Sequence, residues 1–208
     1  LGDVYKRQAL SSSEFPPELL QPVEMPAHKF RTTMLLKLVL GKGQPMQYVG
    51  HLEFMTALRK ALRRAGWPLS FSQGFNKHEK LHFDRPVPLY MLSRSEIVIC
   101  ELYERLEPAV LLQNLQSQLP AGMEVLHLEE VVAVKMPVLT EESYLLEFED
   151  EHCKESTMRA LEALPESGMF YHRKKKKMRE RILRNAILRL EDTDHSIELT
   201  VRSGREYA

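Results

Sequence analysis

The chain has 208 residues, of which 43% are hydrophobic and 28% charged, and its 29 Lys plus Arg balance 29 Asp plus Glu. This composition is typical of a globular protein and excludes a long disordered chain, which would combine low hydrophobicity with a high net charge. The sequence has no apolar run of about 18 residues, so a membrane-spanning helix is excluded as well. Two cysteines, Cys100 and Cys153, are too few for a disulfide framework, and we expect a reducing, cytoplasmic location.

Residues 1–32 are predicted to be a disordered linker. Serines at positions 11–13 and prolines at positions 16, 17, 22 and 26 interrupt any helix or strand. The opening residues Leu1–Gln8 resemble translated adapter sequence and are left out of the fold prediction. We interpret the remainder either as a frayed tail or as the stub of an upstream domain.

Residues 33–136 are predicted to form one α+β domain. The pattern indicates a strand at Met34–Leu40, a helix at His51–Ala65, a strand at Glu96–Leu102, a helix at Pro108–Leu119 and an extended segment at Met123–Val134. This order fits a ferredoxin-like split βαβ sandwich, in which the helices cover one face of an antiparallel sheet.

The first predicted helix has an apolar side and a basic side. Helical spacing predicts an apolar stripe of Leu52, Met55, Leu58, Leu62 and Ala65. The remaining side carries two cation pairs with a spacing of four residues, so that all four are expected to lie together: Arg59, Lys60, Arg63 and Arg64.

Residues 137–208 are predicted to form a second, truncated α+β unit. A strand at Tyr144–Phe148 and a helix at Cys153–Leu164 precede strands near Met169–His172 and Ile187–Glu191, and Ser196–Val201 closes a hairpin. The sequence stops before a second helix could follow, so we expect an incomplete copy of the first pattern.

The balanced total hides a segregated charge. Residues 173–189 hold nine cations and one acid, residues 140–166 hold nine acids and two cations, and residues 51–85 hold seven cations and three acids. Dense basic segments are typical of nucleic-acid binders, although a solvated lysine-rich hairpin has the same composition.

The loop between residues 72 and 80 combines an aromatic ring, an amide, a histidine and two lysines with a flexible Gly74. An aromatic ring beside cations suits base stacking and phosphate contact. The alternative is a tight turn in which Phe75 fills the core. The candidate residues are Ser72, Gln73, Phe75, Asn76, Lys77, His78 and Lys80.

Catalysis by this chain alone finds little support in the sequence. There is no nucleophile elbow and no phosphate-binding Gly-rich loop with a following Lys. His51, His78 and His82 could form a metal site, with Glu53 or Asp84 as further ligands, but solvated or hydrogen-bonded histidines are the commoner arrangement. A Cys-x3-Cys-x2-Cys motif is absent from the sequence.

Residues 48–53 (Tyr-Val-Gly-His-Leu-Glu) and 61–78 (Ala-Leu-Arg-Arg-Ala-Gly-Trp-Pro, then Ser-Gln-Gly-Phe-Asn-Lys-His) resemble the radical-SAM-linked domain family of unknown function. That family's pattern is Phe-Ile-Ser-His-Leu-Asp, then Arg-Ala-Leu-Arg-Arg-Ala-Gly-x-Pro, then Ser-x-Gly-Phe-Asn-Pro-His-Pro. The resemblance implies a domain that is fused after, or encoded beside, a radical SAM protein, often near genes for RNA processing and ribosomal proteins. It implies S-adenosylmethionine and an iron–sulfur cluster in that partner and no cofactor in this chain.

Five departures from the family pattern bear on the interpretation of its motifs. Gly50 replaces Ser, Glu53 replaces Asp, Lys77 and Glu79 replace prolines, and Tyr90 replaces a Gly. Ser and Asp three residues apart are close to a helix capping box, and Gly with Glu still serves as a cap. The first motif is therefore interpreted as largely structural, with His51 as the residue left for function.

The sequence as a whole predicts a non-catalytic accessory domain of a radical SAM system that recognises RNA or a ribosome-associated substrate. The rivals are a protein-interaction scaffold and a metal-dependent RNA-modifying enzyme. A radical SAM protein and RNA are the expected partners, and a membrane is not. Beside the loop residues and the four helix cations, the predicted RNA contacts are Lys174, Lys175, Lys176, Lys177, Arg179 and Arg181, with His51 and Glu53 as polar motif residues.

Overall fold

The structure is a computed structural model that describes residues 25–164, 169–174, 177–182 and 184–203, with the two short middle ranges described by their backbone. Contacts divide the chain into two compact units, and the boundary between them along the sequence lies between Met136 and Pro137. The predicted linker lies outside the described residues up to position 24. Its last part is ordered, because Ala27–Phe30 form a short 3-10 helix.

The first unit contains four strands and two α-helices: β1 (Met34–Lys42), α1 (His51–Arg64), β2 (Leu81–Phe83), β3 (Ser93–Leu102), α2 (Pro108–Gln116) and β4 (Met123–Glu130). The strand order is β2-β3-β1-β4, and all neighbouring strands run antiparallel. β1 and β2 therefore point the same way with β3 between them. This is the split βαβ arrangement of the ferredoxin-like sandwich, and the predicted α+β fold is confirmed.

One face of this sheet carries the core of the unit. Alternate β1 residues, from Met34 to Leu40, are buried and pack with Val98 and Cys100 of β3 and with the inward sides of both helices. A fully buried leucine of this kind contributes roughly 1.5–3 kcal/mol by leaving water. The packing of both helices on one face is what orients their remaining sides outward.

The apolar stripe predicted for α1 was partly wrong. Leu58, Leu62 and Ala65 are buried as expected, but Phe54 takes the inward position in the first turns, while Leu52 is 73% exposed. The buried face is centred on residues 54, 58, 61, 62 and 65, which is a helical repeat rotated away from Leu52. The sequence offered two overlapping apolar sides, and packing against the sheet selected one.

The second unit repeats the beginning of this topology: β5 (Glu141–Glu147), α3 (Glu151–Glu162), β6 (Met169–Lys174), β7 (Lys177–Ile182), β8 (Ile187–Thr193) and β9 (Ser196–Arg202). The sheet order β5-β9-β8 places an antiparallel strand between two that run parallel to each other. The strands β6 and β7 form a two-stranded hairpin with a sheet of its own.

A buried lysine joins α3 to the turn between β8 and β9. The Nζ atom of Lys154 lies 2.9 Å from Asp192 Oδ1 and 3.0 Å from Glu151 Oε1, and it donates to the carbonyl oxygens of Thr193 (2.8 Å) and Asp194 (3.1 Å). Hydrogen bonds to Asp192 and then Glu151 raise the pKa of this ammonium group above its ordinary value. Four oxygen partners compensate the loss of water around a charge whose residue is only 4% exposed.

Candidate nucleic-acid interface

A pair of side chains closes the loop between residues 72 and 78. Ser72 Oγ lies 3.0 Å from His78 Nδ1 and accepts a hydrogen bond from the His78 backbone N–H (3.1 Å), while the Ser72 N–H donates to the His78 carbonyl (2.9 Å). These bonds hold the two ends of the segment together. His78 is thus engaged in shaping the loop rather than standing free as a ligand.

Phe75 lies at the tip of this closed loop and is completely exposed, at 105%. Gly74 beside it has a φ of +131°, a conformation that side chains rarely adopt, so a glycine is needed there for the chain to turn. Gln73, Asn76 and Lys77 are exposed as well. The alternative in which Phe75 fills the core was wrong, because the loop points the ring into solvent.

The loop is attached to the last turn of α1 through a buried acid. Glu79 is 3% exposed and accepts a hydrogen bond from Arg63 Nε. The same guanidinium group forms an ion pair with the Glu79 carboxylate, although the Arg63 side chain remains largely exposed. Phe71 and Glu79 form a bridge of antiparallel backbone at the base of the loop. Arg63 therefore has a structural role at the loop, because its charge is paired with the buried Glu79 carboxylate.

The four cations of α1 do not share one environment, contrary to the expectation that they would lie together. Lys60 and Arg64 line a groove of about 500 Å³ with Glu53 and Pro120, and Arg64 Nη2 donates to the Gln118 carbonyl (2.6 Å). Arg63 faces the loop, and Arg59, one turn before it, has an enclosed Nε atom with no hydrogen-bond partner in the described part of the chain. The helix thus presents two pairs of cations on two sides.

Lys80 belongs to a polar cluster around Glu101 rather than to the exposed loop. Its Nζ lies 3.1 Å from Glu101 Oε2, His82 Nε2 lies 2.7 Å from Glu101 Oε1, and the Thr32 hydroxyl also donates to this carboxylate. Burial by itself raises the pKa of Glu101, but the hydrogen bonds from Thr32, His82 and Lys80 outweigh it and hold that pKa below its ordinary value. The sequence pattern does not reveal this cluster, because it identifies Glu101 only as part of a central strand and the partners of Glu101 lie far away in the chain.

The sheet face opposite the helices does not offer a stacking platform. By the strand register its positions are Leu35, Lys37, Val39, His82, Ile97, Ile99, Glu101, His127 and Glu129. Phe, Tyr and Trp are absent from these positions, and the Lys37 Nζ is paired with Glu129 Oε1 at 2.8 Å. RNA-binding sheets of related architecture stack bases on aromatic residues of that face. The face of this sheet therefore lacks the aromatic residues on which such sheets stack bases.

His51 and Glu53 lie in the first turn of α1, which begins after Gly50. The His51 ring meets Phe83 edge to face at 5.8 Å, and its Nδ1 atom is enclosed without a hydrogen-bond partner among the described residues. A Cβ atom added to Gly50 would lie 2.7 Å from Glu53 Oε2. The Glu53 carboxylate thus lies in the space that a Ser side chain at position 50 would enter.

The third departure with a geometric explanation is Tyr90. Its φ of +67° makes it the one non-glycine residue of the described chain with a left-handed backbone. Glycine adopts this conformation without cost, whereas other residues pay roughly 1–2 kcal/mol. The Tyr90 ring is 63% exposed and meets Tyr48 edge to face at 5.7 Å, a contact that a glycine would lack.

The basic hairpin lies in the second unit. The backbone register pairs Lys174 with Lys177, and Arg179 and Arg181 belong to β7. Lys175 and Lys176 lie outside the described residues. The strand predicted near Met169–His172 is confirmed as β6, whereas β7 was not predicted, and the contribution of the basic segment to a binding surface stays a prediction.

Within the described ranges, no group of three or more His, Cys, Asp and Glu side chains is placed to hold a metal ion. The three histidines of the predicted metal site each contact a different side chain: His51 contacts Phe83, His78 contacts Ser72 and His82 contacts Glu101.

The described helices include none that is long and apolar enough to cross a membrane.

The fold and the loop together define a small α+β protein with a ferredoxin-like unit and an exposed aromatic–basic loop. A family model described as "Uncharacterized protein conserved in bacteria (DUF2344)" matches residues 36–207. The match spans most of the chain, and the chain belongs to this family. A search of curated proteins found no match.

Proposed function

We propose that this chain is a non-catalytic accessory domain of a radical SAM system and that it recognises RNA, including RNA within a ribosome-associated substrate. The observation that supports the proposal best is the closed loop with Phe75 fully exposed at its tip and Lys77 two residues further on. An exposed large aromatic ring on a fixed loop has no role in the core of this unit. Beside lysines, it suits stacking and phosphate contact.

The distribution of charge supports the same proposal. Lys60, Arg64 and Lys77 are exposed on the first unit, and the hairpin segment 173–182 holds seven cations and one acid. Contacts between such groups and phosphates release counterions, so binding weakens steeply as salt rises. The acidic stretch at residues 140–166 accounts for the neutral total charge.

The radical SAM part of the proposal rests on the motif resemblance and assigns the chemistry to a partner protein, fused or separate. An iron–sulfur cluster of that type needs three cysteine thiolates, and the chain has two cysteines in different units. Cys100 is buried and its pKa is raised by burial, whereas Cys153 is exposed at the start of α3. These residues do not fit a cluster, so S-adenosylmethionine and the cluster belong to the partner.

A salt-titrated RNA-binding assay tests the proposal. The wild-type chain should bind RNA at low salt, and reversing Lys174–Lys177 to Glu should weaken binding and flatten its salt dependence. Lys135→Glu, an exposed lysine in the segment between the units, is the single-charge control and should change binding little. A wild-type chain that fails to bind RNA even at low salt contradicts the proposal.

A protein-interaction scaffold remains the second candidate because of one specific surface. Tyr48 and Leu52 are each 73% exposed, and Leu89 and Tyr90 are exposed beside them at the start of α1. Exposed apolar side chains that cluster in this way are typical of protein contacts. If Tyr48→Ser with Leu52→Ser abolishes binding to the radical SAM partner while RNA binding never occurs, the scaffold is the better description.

A further inference from the structure

The short 3-10 helix Ala27–Phe30, which the sequence placed in a linker, is joined to the exposed loop. The Phe71 N–H donates to the Lys29 carbonyl at 2.9 Å. From the loop, the Lys77 ammonium lies over the Phe30 ring, 5.3 Å from its centroid. A cation at this distance from an aromatic face is attracted by it. The segment is therefore continuous with the loop on the surface of the first unit.

A second ring extends this surface beyond the 3-10 helix. Tyr103 follows β3, and its backbone N–H donates to the Pro68 carbonyl at 2.9 Å. The Lys29 ammonium lies 5.7 Å from the centroid of its ring, and the His28 ring meets it edge to face at 5.3 Å. Aromatic rings and lysines thus alternate along one connected stretch, which we call the aromatic–lysine surface: Lys29, Phe30, Phe75, Lys77 and Tyr103.

We infer that the aromatic–lysine surface binds unpaired nucleotides of single-stranded RNA, an inference that rests on the proposed RNA-recognising function. Phe75 presents a complete ring to solvent, and its natural ligand is the flat face of a base. In a duplex those faces are covered by neighbouring base pairs, so a duplex cannot use this ring without unstacking. The site therefore selects loops, bulges or single-stranded ends over helical RNA.

Lys29 and Lys77 supply the positive charges that bind the phosphates of the strand. In the unbound protein the ammonium groups of Lys29 and Lys77 lie over the rings of Tyr103 and Phe30. A phosphate is a stronger partner for an ammonium group than an aromatic face is, because it carries a full charge. When a strand binds, the two lysines turn to its phosphates and leave the rings of Phe30 and Tyr103 free for further bases.

The loop is already shaped before any ligand arrives, which favours binding. The bonds between Ser72 and His78 close its base, and the pairing of Arg63 with Glu79 ties it to α1. A site whose geometry is fixed in advance loses less conformational entropy when a ligand binds. Phe75 itself has little rotamer freedom to lose for the area that it offers.

An exposed phenylalanine is also a common anchor of protein interfaces. The nearby Lys77, two residues further along the loop, favours a polyanion over an apolar protein patch, since burying its ammonium group against apolar atoms would be costly. The protein alternative becomes an outcome of the test below.

The test measures fluorescence anisotropy of the full chain with two probes: a single-stranded RNA of about 12 nucleotides without self-complementarity, within the length that one small domain covers, and a blunt RNA duplex of the same length. Phe75→Ala should weaken binding of the single strand about tenfold and leave the weaker binding of the duplex unchanged. Phe75→Trp should keep the affinity, because it keeps a stacking ring. The matched control is Val132→Ala, which also truncates a fully exposed apolar side chain, at 103% exposure, and should change nothing.

Phe75→Trp provides a second readout. Stacking of a base on the new indole should quench its fluorescence with the single strand and not with the duplex, above the background of the buried Trp67. Equal affinity of wild type and Phe75→Ala for the single strand overturns the inference while leaving RNA recognition standing. Loss of radical SAM partner binding in Phe75→Ala, with RNA affinity unchanged, assigns the ring to a protein interface instead. A wild-type chain that binds neither probe overturns the inference together with the proposed function.

Discussion

The two units of this protein use the same strand arrangement and stabilise it in different ways. In the first unit one face of the sheet packs with both helices around fully buried side chains such as Leu36, Leu38 and Phe54. In the second, Ile197 is the buried hydrophobic residue among those whose side chains are described, and Lys154 with its four oxygen partners connects the helix to the sheet. The same arrangement of three strands thus occurs with an apolar core in one unit and, among the side chains described in the other, with a buried, ion-paired lysine between helix and turn.

Each unit also buries a lysine, with opposite consequences for its pKa. Lys42 at the end of β1 is 1% exposed and donates to one carbonyl, that of Pro88, at 3.2 Å. Burial lowers its pKa, and the attraction of Glu96 only partly opposes this. The pKa of Lys154 is raised instead, because two carboxylates face it. Burial thus disfavours the charged form of Lys42, whereas two carboxylates stabilise the charged form of Lys154.

The largest expected effect follows from removing the apolar core of the first unit. Phe54→Ala should lower the free energy of unfolding of that unit by about 3–5 kcal/mol. Trp67 is the one tryptophan of the chain and is buried in this unit, so its fluorescence reports the transition in denaturant. Phe75→Ala is the matched control, and a comparable loss there would contradict the exposed position of that ring.

The next largest effect is expected for Lys154, the buried lysine of the second unit. Lys154→Ala should open the β8–β9 turn and the packing of α3, because two carboxylates lose their shared counterion and two carbonyls lose a donor. Hydrogen–deuterium exchange should accelerate in α3, β8 and β9, while the Trp67 transition stays in place. Arg159→Ala, an exposed member of an i,i+4 pair on the same helix, is the control and should have little effect.

Lys42→Met sharpens the contrast between the two buried lysines. The substitution keeps an unbranched side chain and removes a charge that burial disfavours, so stability near neutral pH should be unchanged or higher. The wild-type contribution has a definite pH dependence. A folded-state pKa below the unfolded value of 10.5 means that stability rises as pH increases through the folded pKa toward 10.5. A marked loss of stability in Lys42→Met would assign Lys42 a structural role.

The carboxylate cluster of the first unit predicts a sensitivity to acid. The folded-state pKa of Glu101 lies below the ordinary value of 4.5, so its contribution is fully present above that value and is lost as pH falls through the folded pKa. Denaturation curves followed by Trp67 fluorescence should show a steeper loss of stability below pH 4.5 for wild type than for Glu101→Gln. Parallel curves would show that the cluster does not contribute.

The smallest effect concerns the cap of α1. Gly50→Ser alone should gain little, since the new Cβ meets Glu53 Oε2 at 2.7 Å and pushes that side chain aside. Gly50→Ser with Glu53→Asp removes the crowding and restores a side-chain cap, which should add a few tenths of a kcal/mol to the unfolding free energy of the first unit. Equal stability of the single and the double variant would mean that Glu53 does not crowd position 50.

Much of the fold followed from local patterns. The helix at His51, the stop at Gly66 with its φ of +71° and the helix that begins at Pro108 all stand where short-range rules predicted them. The inward face of α1 did not follow, because Phe54 and Leu52 compete for it within one turn and only the sheet decides between them. Glu79 was read as a departure in a loop, whereas it is the buried partner of Arg63.

The sequence by itself determined most of the helices and strands, although it did not predict β2 and β7, and it determined where charge is concentrated and which motif the chain carries, because these depend on neighbours within a few residues. The tertiary structure alone decided that Phe75 stands in solvent, that Ala27–Phe30 lie beside the loop and that the cations of α1 divide between two sides. Those facts depend on contacts between residues distant in the chain, such as Lys29 with Phe71 and Arg64 with Gln118. Residue type and spacing do not encode such contacts until the sheet brings the segments together.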